Sequence, residues 1–476
     1  MNHQIQTQLR EDAEAIFNAA VQRVMPERLF SYCLSLQGAV LNILDDKSAQ
    51  KIELDLYDRI VIAAFGKASV PMTASIMSLL GERVTCGLVV TKASVDDPLL
   101  VLSAELRSQF RAHSIRVVEA GHPVPDQRSL AAGNEMLALA EQVREWESSG
   151  QKTLVCMLIS GGGSALLTAP SQGLSLEEKA SVTKLLLGCG ATIHEINTVR
   201  KHFSRIKGGL LARAFAPAKT IALVLSDVMG DDLDIIASGP TVPDASTWKD
   251  VWGIFERFGL FSSLPESVVR AAREGLLGKR PDTPKPGDPL FNACSTLLVG
   301  TNYHAILEAT RKSKERGYRT VVLSSRLQGE AREIAKVFSG ISQDIIMHGI
   351  PDRAPLCVIA GGETTVTLRG KGKGGRNQEM ALSVLNEFEH FPKVLRQELS
   401  RVLFLSASTD GNDGPTDAAG AYVDCGVLEN AQELGLAPES FLAENDSYSF
   451  FEKTGGLLRI GLTGTNVCDI QLLIVR

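Results

Sequence analysis

The chain has 476 residues, and its 49 Lys and Arg against 55 Asp and Glu leave a formal net charge of −6. That balance weighs against a nucleic-acid partner, because domains that bind nucleic acid are usually basic. With 44% hydrophobic and 22% charged residues the chain has globular rather than disordered composition, and at ~100–200 residues per domain it is expected to form two or three domains.

The first stretch, MNHQIQTQLREDAEAIFNAAV, lacks the apolar centre of a secretory signal. Glu11, Asp12 and Glu14 are foreign to an acid-poor mitochondrial transit peptide. No apolar run approaches the ~18 residues of a membrane helix, so a soluble cytosolic protein without a membrane partner is expected. The eight cysteines contain no C-x-x-C pair, which predicts thiols in a reducing compartment rather than a disulfide framework or a zinc site. Cys156 and Cys357 lie inside apolar runs and are expected to be buried.

Strand-like runs follow in order: RIVIAAF (59–65), CGLVVT (86–91), SIRVVEA (114–120), TLVCMLIS (153–160), TIALVLS (220–226) and STLLVG (295–300). After them come RTVVLSS (319–325), LCVIAGG (356–362), TTVTLR (364–369), VLFLSAS (402–408) and QLLIVR (471–476). Several are continuously apolar, as in parallel strands covered on both faces. TTVTLR alternates and follows closely on LCVIAGG, which predicts antiparallel pairing in the second sheet. Helical periodicity over 129–147 and 174–189 completes a β-α alternation, so the class is α/β. The Pro- and Gly-rich stretch GKRPDTPKPGDP (278–289) reads as the connector. Domains of 1–285 and 286–476 are expected.

Ligands of open α/β sheets bind beyond the carboxyl ends of the strands. RIVIAAF is followed by Gly66-Lys67; Val61 stands where a Walker A loop needs glycine, yet a lysine at a strand end can still reach a phosphate. TLVCMLIS is followed by Gly161, Gly162, Gly163 and Ser164, whose backbone N–H groups suit an anion, although a single glycine would satisfy an ordinary turn. TIALVLS is followed by Asp227, placed to hold a cation or orient a hydroxyl. Asn197, Arg200 and Lys201 fall on one helix face and suit a small carboxylate, or form a plain basic surface. Glu363 and Asp410 follow neighbouring strands and suit a shared divalent metal, the bland alternative being an Asx-rich turn. Gly370, Gly372 and Gly375 spell G-x-G-x-x-G, the letter pattern of a dinucleotide turn, but Lys371, Lys373 and Arg376 crowd the same loop.

The strings FGKA, LISGGGSALL, HEINTVRKHFSRIKGG, LSDVMGDDLDIIASGPTVPD, AGGETTVTLRGKGKGGRNQEMAL, STDGNDGPTDAAGA and LTGTNVCD occur in that order. Together they resemble the glycerate 2-kinase (MOFRL-type) family, and its animal branch above all, over nearly the whole chain. The resemblance implies two different α/β domains, the first Rossmann-like with a parallel sheet, the second with a mixed sheet, and an active site in the cleft between them. It implies ATP, Mg²⁺ or another divalent cation, and phosphoryl transfer to the 2-hydroxyl of D-glycerate. It assigns catalysis to Lys67, Arg376 and Asp227. The glycine loops, Gly161–Gly163 with Ser164 and Gly372, Gly374 and Gly375, would hold the remaining phosphates, and Asp410 or Glu363 the metal. Animal relatives carry more N-terminal residues, so cytosol is preferred here with mitochondria as the second option. A homodimer is the default assembly. The rival reading is an NAD(P)-dependent hydroxypyruvate reductase, favoured only by the letter pattern at Gly370–Gly375. A non-catalytic sensor should have lost the charged residues that this chain keeps.

Overall fold

The computed structural model describes residues 2–45, 49–92 and 103–476. The chain forms two compact units, Leu29–Val299 and Met1–Arg28 with Gly300–Arg476. No helix among the described residues is long and apolar enough to cross a membrane.

The first unit opens with a small antiparallel sheet of β1 (Leu34–Gln37), β2 (Val40–Leu44) and β3 (Ala49–Glu53). Its main sheet contains β4 (Arg59–Phe65), β5 (Val84–Lys92), β6 (Ile115–Ala120), β7 (Thr153–Ile159), β8 (Lys219–Leu225) and β9 (Cys294–Gly300), in the order β6-β5-β4-β7-β8-β9. The pairs β5–β6, β4–β5, β4–β7 and β7–β8 are parallel. Every residue of β7 is buried, and every residue of β4 beyond Arg59. The unbroken apolar runs are thus those of strands covered on both faces. Ala132, Met136 and Val143 of the helix Gln127–Ser148, with Leu211 and Phe215, pack on Val61, Val155 and Met157. A separate helical core gathers Leu186, Val199, Phe203, Trp248 and Phe255.

The strand order places the site. The chain moves outward from β4 to β5 and β6, then returns to β7 on the other side of β4. The crevice at such a reversal is where open α/β sheets bind ligands, and it lies between the ends of β4 and β7.

The second unit has β10 (Arg319–Leu327), β11 (Leu356–Gly362), β12 (Val402–Ser408), β13 (Gly420–Val423), β14 (Leu457–Leu458) and β15 (Asp469–Val475), in the order β10-β11-β15-β12-β13-β14. Only β10–β11 is parallel; β15 lies antiparallel between β11 and β12, and the sheet is mixed. The expected antiparallel pairing is present, but TTVTLR does not supply it. Residues 364–369 form no strand and make a single bridge, Glu330 to Thr365. The place beside β11 is taken by the wholly buried, more apolar β15.

The division of the chain also differs from the expected 1–285 and 286–476. GKRPDTPKPGDP lies within the first unit, because the chain must still return to add β9 to that sheet. The N-terminal helix Asn2–Val24 belongs to the second unit, packed on the helix Asn302–Glu315. Asp12, 1% exposed, accepts a hydrogen bond from Tyr318 Oη at 2.6 Å, and Arg10 pairs with Asp424 at 2.6 Å. A buried acid on a helix begs for such partners, but nothing local in the sequence says that they lie some 300 residues onward.

All eight cysteines are free thiols, and burial pushes those of Cys156 and Cys357 up to about 12.

Candidate active site

In the first unit the turn after β4 and the loop after β7 are tied together by backbone. Gly66 has a φ of +125°, and a Cβ there would stand 2.2 Å from Ser160 Oγ. Only glycine fits, on both counts. The N–H of Lys67 donates to Gly161 O at 2.8 Å, and that of Ala68 to Ser160 Oγ at 2.9 Å. The lysine is thereby seated on the glycine loop.

The glycines of that loop are needed for close approach. A Cβ on Gly161 would lie 1.8 Å from Asp227 Oδ2. One on Gly162, whose φ is +77°, would lie 2.9 Å from His122 Cδ2 and 3.2 Å from Lys67 Cγ. Lys67, Asp227 and His122 therefore converge on two consecutive glycines. His122 is pushed down to about 4, by burial first and then by the charges of Lys67 and Lys92, so it is a neutral imidazole at physiological pH.

Beyond the glycines lies a polar relay. Lys207 Nζ donates to Ser164 Oγ at 2.6 Å and to Ser164 O at 3.1 Å; Ser164 Oγ meets Ser238 Oγ at 2.9 Å, and Ser238 Oγ donates to Asn197 Oδ1 at 3.0 Å. Ala237 and Ser238 have φ values of 50° and 63°. Two consecutive non-glycine residues in that region cost about 1–3 kcal/mol each, and such strain collects at functional sites. Lys207 is 2% exposed. Burial, then the nearby charges of Lys179 and Arg200, hold its amine well below the usual lysine range. Burial and Arg200 push Lys179 down to about 7, and burial lowers Arg200.

The helix Ile193–His202 is started by a Thr192–Glu195 capping box and carries Asn197 and Arg200. Lys201, which shares their face in the sequence, is committed elsewhere: it pairs with Asp234 and, at 3.3 Å, with buried Asp244. It anchors the helix, while Lys179 and Lys207 stand with Arg200 instead.

In the second unit Arg376 is the first residue of the helix Arg376–Glu389. Its Nε and Nη2 donate to the two oxygens of Asp469 at 2.6 and 2.9 Å, and Nη1 pairs with Glu363 Oε1 at 2.7 Å. Burial alone would lower the guanidinium pKa, but Asp469, Glu363 and Asp413 outweigh it and raise it. Asp413 caps the same helix, accepting from the N–H groups of Asn377 at 3.1 Å and Gln378 at 2.8 Å. Burial, against those bonds, pushes it up to about 7.

The loop that spells G-x-G-x-x-G follows irregular backbone, not a strand. That removes the structural context a dinucleotide turn requires. Added Cβ atoms on Gly370, Gly372 and Gly374 would meet Glu444, Asp446 and Ser447 within 2.3 Å, and one on Gly375 would meet Asp413 at 2.3 Å. The N–H of Gly370 donates to Asn445 Oδ1 at 2.9 Å, and that of Gly372 to Glu444 O at 2.8 Å. These glycines let the chain's own segment 444–447 and Asp413 approach. Lys373 Nζ stands 4.1 Å from the Tyr448 ring centre.

Asp410 accepts from Ser408 Oγ at 2.7 Å and Asn412 N at 2.9 Å, both on Oδ1, in an Asx turn. No group of three or more metal-ligating side chains occurs among the described residues. That still fits Mg²⁺, which is commonly held by one or two carboxylates plus substrate phosphates.

A Lys–Asp pair on a glycine loop at a sheet's reversal point, beside basic side chains with no carboxylate partner among the described residues, suits an α/β enzyme for small anionic substrates. Residues 12–273 match the family described as a domain of unknown function, DUF4147, and residues 356–469 match the MOFRL family. The chain is 39% identical over 413 residues to the D-glycerate 2-kinase of Thermotoga maritima, covering 87% of this chain and 90% of that protein. It is 36% identical over 511 residues to the glycerate kinase of Homo sapiens, covering 98% and 93%. The crystal structure of glycerate kinase from Thermotoga maritima matches with a TM-score of 0.81 at 35% identity, over 98% of this chain and 99% of that one. The chain belongs to this glycerate kinase family.

Proposed function

We propose that the chain is an ATP-dependent glycerate kinase that phosphorylates the 2-hydroxyl of D-glycerate. The observation that carries this reading is the convergence of Lys67 and Asp227 on Gly161 and Gly162. Phosphoryl transfer needs positioning and charge neutralisation far more than covalent assistance. Lys67 supplies positive charge to the transferring group, Arg376 supplies positive charge for phosphoryl transfer from the second unit, and Asp227 orients the acceptor hydroxyl and takes its proton. Gly161–Gly163 and Ser164 receive phosphate oxygens, as would Gly374 and Gly375. Asn197 and Arg200 face the acceptor, with Lys201 holding their helix in place. Asp410 and Glu363 would hold a divalent cation, which supplies further neutralisation of nucleotide phosphates when bound.

The test is an assay with ATP and D-glycerate, with the product's phosphorylated carbon identified by ³¹P–¹H correlation. Phosphate coupled to the C2 proton is expected. Coupling to C3 protons overturns the regiochemistry; no ATP-dependent product overturns the kinase. Gly161→Ala, which drives a methyl into the half-buried Asp227 carboxylate, is expected to displace that group and lower kcat/KM by about 100-fold, as misplacement near 1 Å can. An unchanged kcat/KM in that variant would remove Asp227 from the reacting centre.

A further inference from the structure

Lys179, Arg200 and Lys207 form a group of buried or half-buried cations without a counter-charge. Among the described residues no carboxylate oxygen lies within 4.0 Å of any of them. Elsewhere in the same unit buried Lys201 has Asp234 and Asp244. Buried charges persist when something pairs with them. Burial first, then Arg200, lowers the proton affinity of Lys179, and burial, then Lys179 and Arg200, that of Lys207, which is the opposite of what a structural ion pair produces.

Their donors are unequally used. Lys207 is fixed by its two bonds to Ser164 and a third, at 3.5 Å, to Ala237 O. Lys179 Nζ makes one bond, to Thr168 Oγ1 at 3.3 Å. The Arg200 guanidinium makes none among the described residues. A planar guanidinium with its fork open is the geometry that receives a carboxylate through two parallel bonds. The position is also right for a 2-hydroxy acid, whose carboxylate is bonded to the carbon that bears the reacting hydroxyl. Asp227 lies against Gly161 and Lys207 is bonded to Ser164, three residues along one loop.

Resting on the kinase reading above, we propose that Arg200 and Lys179, backed by the amine of Lys207 held against Ser164, form the receptor for the acceptor's carboxylate and set selectivity for hydroxy acids over neutral polyols. Lys179 and Lys207 thus join the site as specificity-determining residues. A neutral acceptor such as glyceramide leaves the three cations without an anion and gains nothing from them.

The experiment compares wild type, Lys179→Met, Arg200→Met and Arg200→Lys at saturating ATP, with D-glycerate and glyceramide as acceptors. Each Met variant is expected to raise KM for D-glycerate by about 10- to 100-fold, the worth of one charge-assisted bond. KM for ATP is expected to move by less than about threefold. Selectivity for D-glycerate over glyceramide should fall by the same factor as kcat/KM for D-glycerate, with Arg200→Lys intermediate. A rise in KM for ATP with KM for D-glycerate unchanged would place nucleotide phosphate there and overturn the proposal; so would unchanged selectivity. Titration calorimetry of D-glycerate into nucleotide-free wild type and Arg200→Met separates this from failure of the kinase reading. Heat lost in the variant alone supports the receptor even in a protein that turns over no ATP, and equal heats overturn it.

Discussion

Lys67→Ala is expected to lower kcat for ATP-dependent phosphorylation of glycerate by about 10³-fold, the scale on which a cation aimed at a transferring phosphoryl group acts. Folding should survive, because Lys67 is tied to the glycine loop through its backbone N–H, a bond alanine keeps. The variant carries a second readout. His122 is held at about 4 by burial and then by Lys67 and Lys92. Removing Lys67 should raise that value, and burial should still keep it below the ordinary 6.5. An NMR titration of the imidazole measures the shift. A depressed imidazole costs stability as pH falls through 6.5 toward 4, where the unfolded chain takes a proton that the native chain refuses. Lys67→Ala should therefore lose less stability than wild type over that window. A variant with near-normal kcat and an unmoved His122 would show that Lys67 points away from the site.

The central strand runs of both sheets, β4, β7, β11, β12 and β15, were legible because a strand buried on both faces must be apolar throughout, and that pattern is local, whereas the short β13 and β14 were not among the expected runs. RIVIAAF and VLFLSAS match β4 and β12 residue for residue. TTVTLR misled because alternation describes a half-exposed strand without saying whether a partner is available, and β15 had taken the place. Gly161–Gly163 and Asp227 were legible as loop residues at strand ends. What brings them together is a close approach of backbone to side chain that spacing does not express. Lys207 sat unnoticed in SRIKGG, since a lysine between isoleucine and glycine has no local signature of burial. Its neighbour Lys201 looked the better ligand until Asp234 and Asp244, 33 and 43 positions on, were seen to hold it. Asp469 was hidden for the same reason: its partner Arg376 lies 93 positions earlier, on the far side of β12 in the chain.

Replacing Arg376 with alanine is expected to abolish turnover, but for two reasons that must be separated. Arg376 carries positive charge for phosphoryl transfer in the proposed mechanism. It is also the partner of Asp469, which has no exposed surface, and it offsets the negative charge beside Asp413. Removing one member of a buried pair strands the other, at a cost of about 3–5 kcal/mol. The stability loss should depend on pH with a definite sign. Burial already raises Asp413 to about 7 from 3.8, and raises Asp469; without the guanidinium both rise further. A carboxyl group with a raised native pKa binds its proton more tightly folded than unfolded. The deficit of Arg376→Ala relative to wild type should therefore be largest above pH 7, where wild-type Asp413 is ionised, and shrink as pH falls through 7 toward 4. Denaturant unfolding at several pH values measures it. The separating variant is Arg376→Gln with Asp469→Asn, which leaves two neutral amides where an ion pair stood. It should recover most of the stability and none of the turnover. Recovery of both would reduce Arg376 to a structural counter-ion.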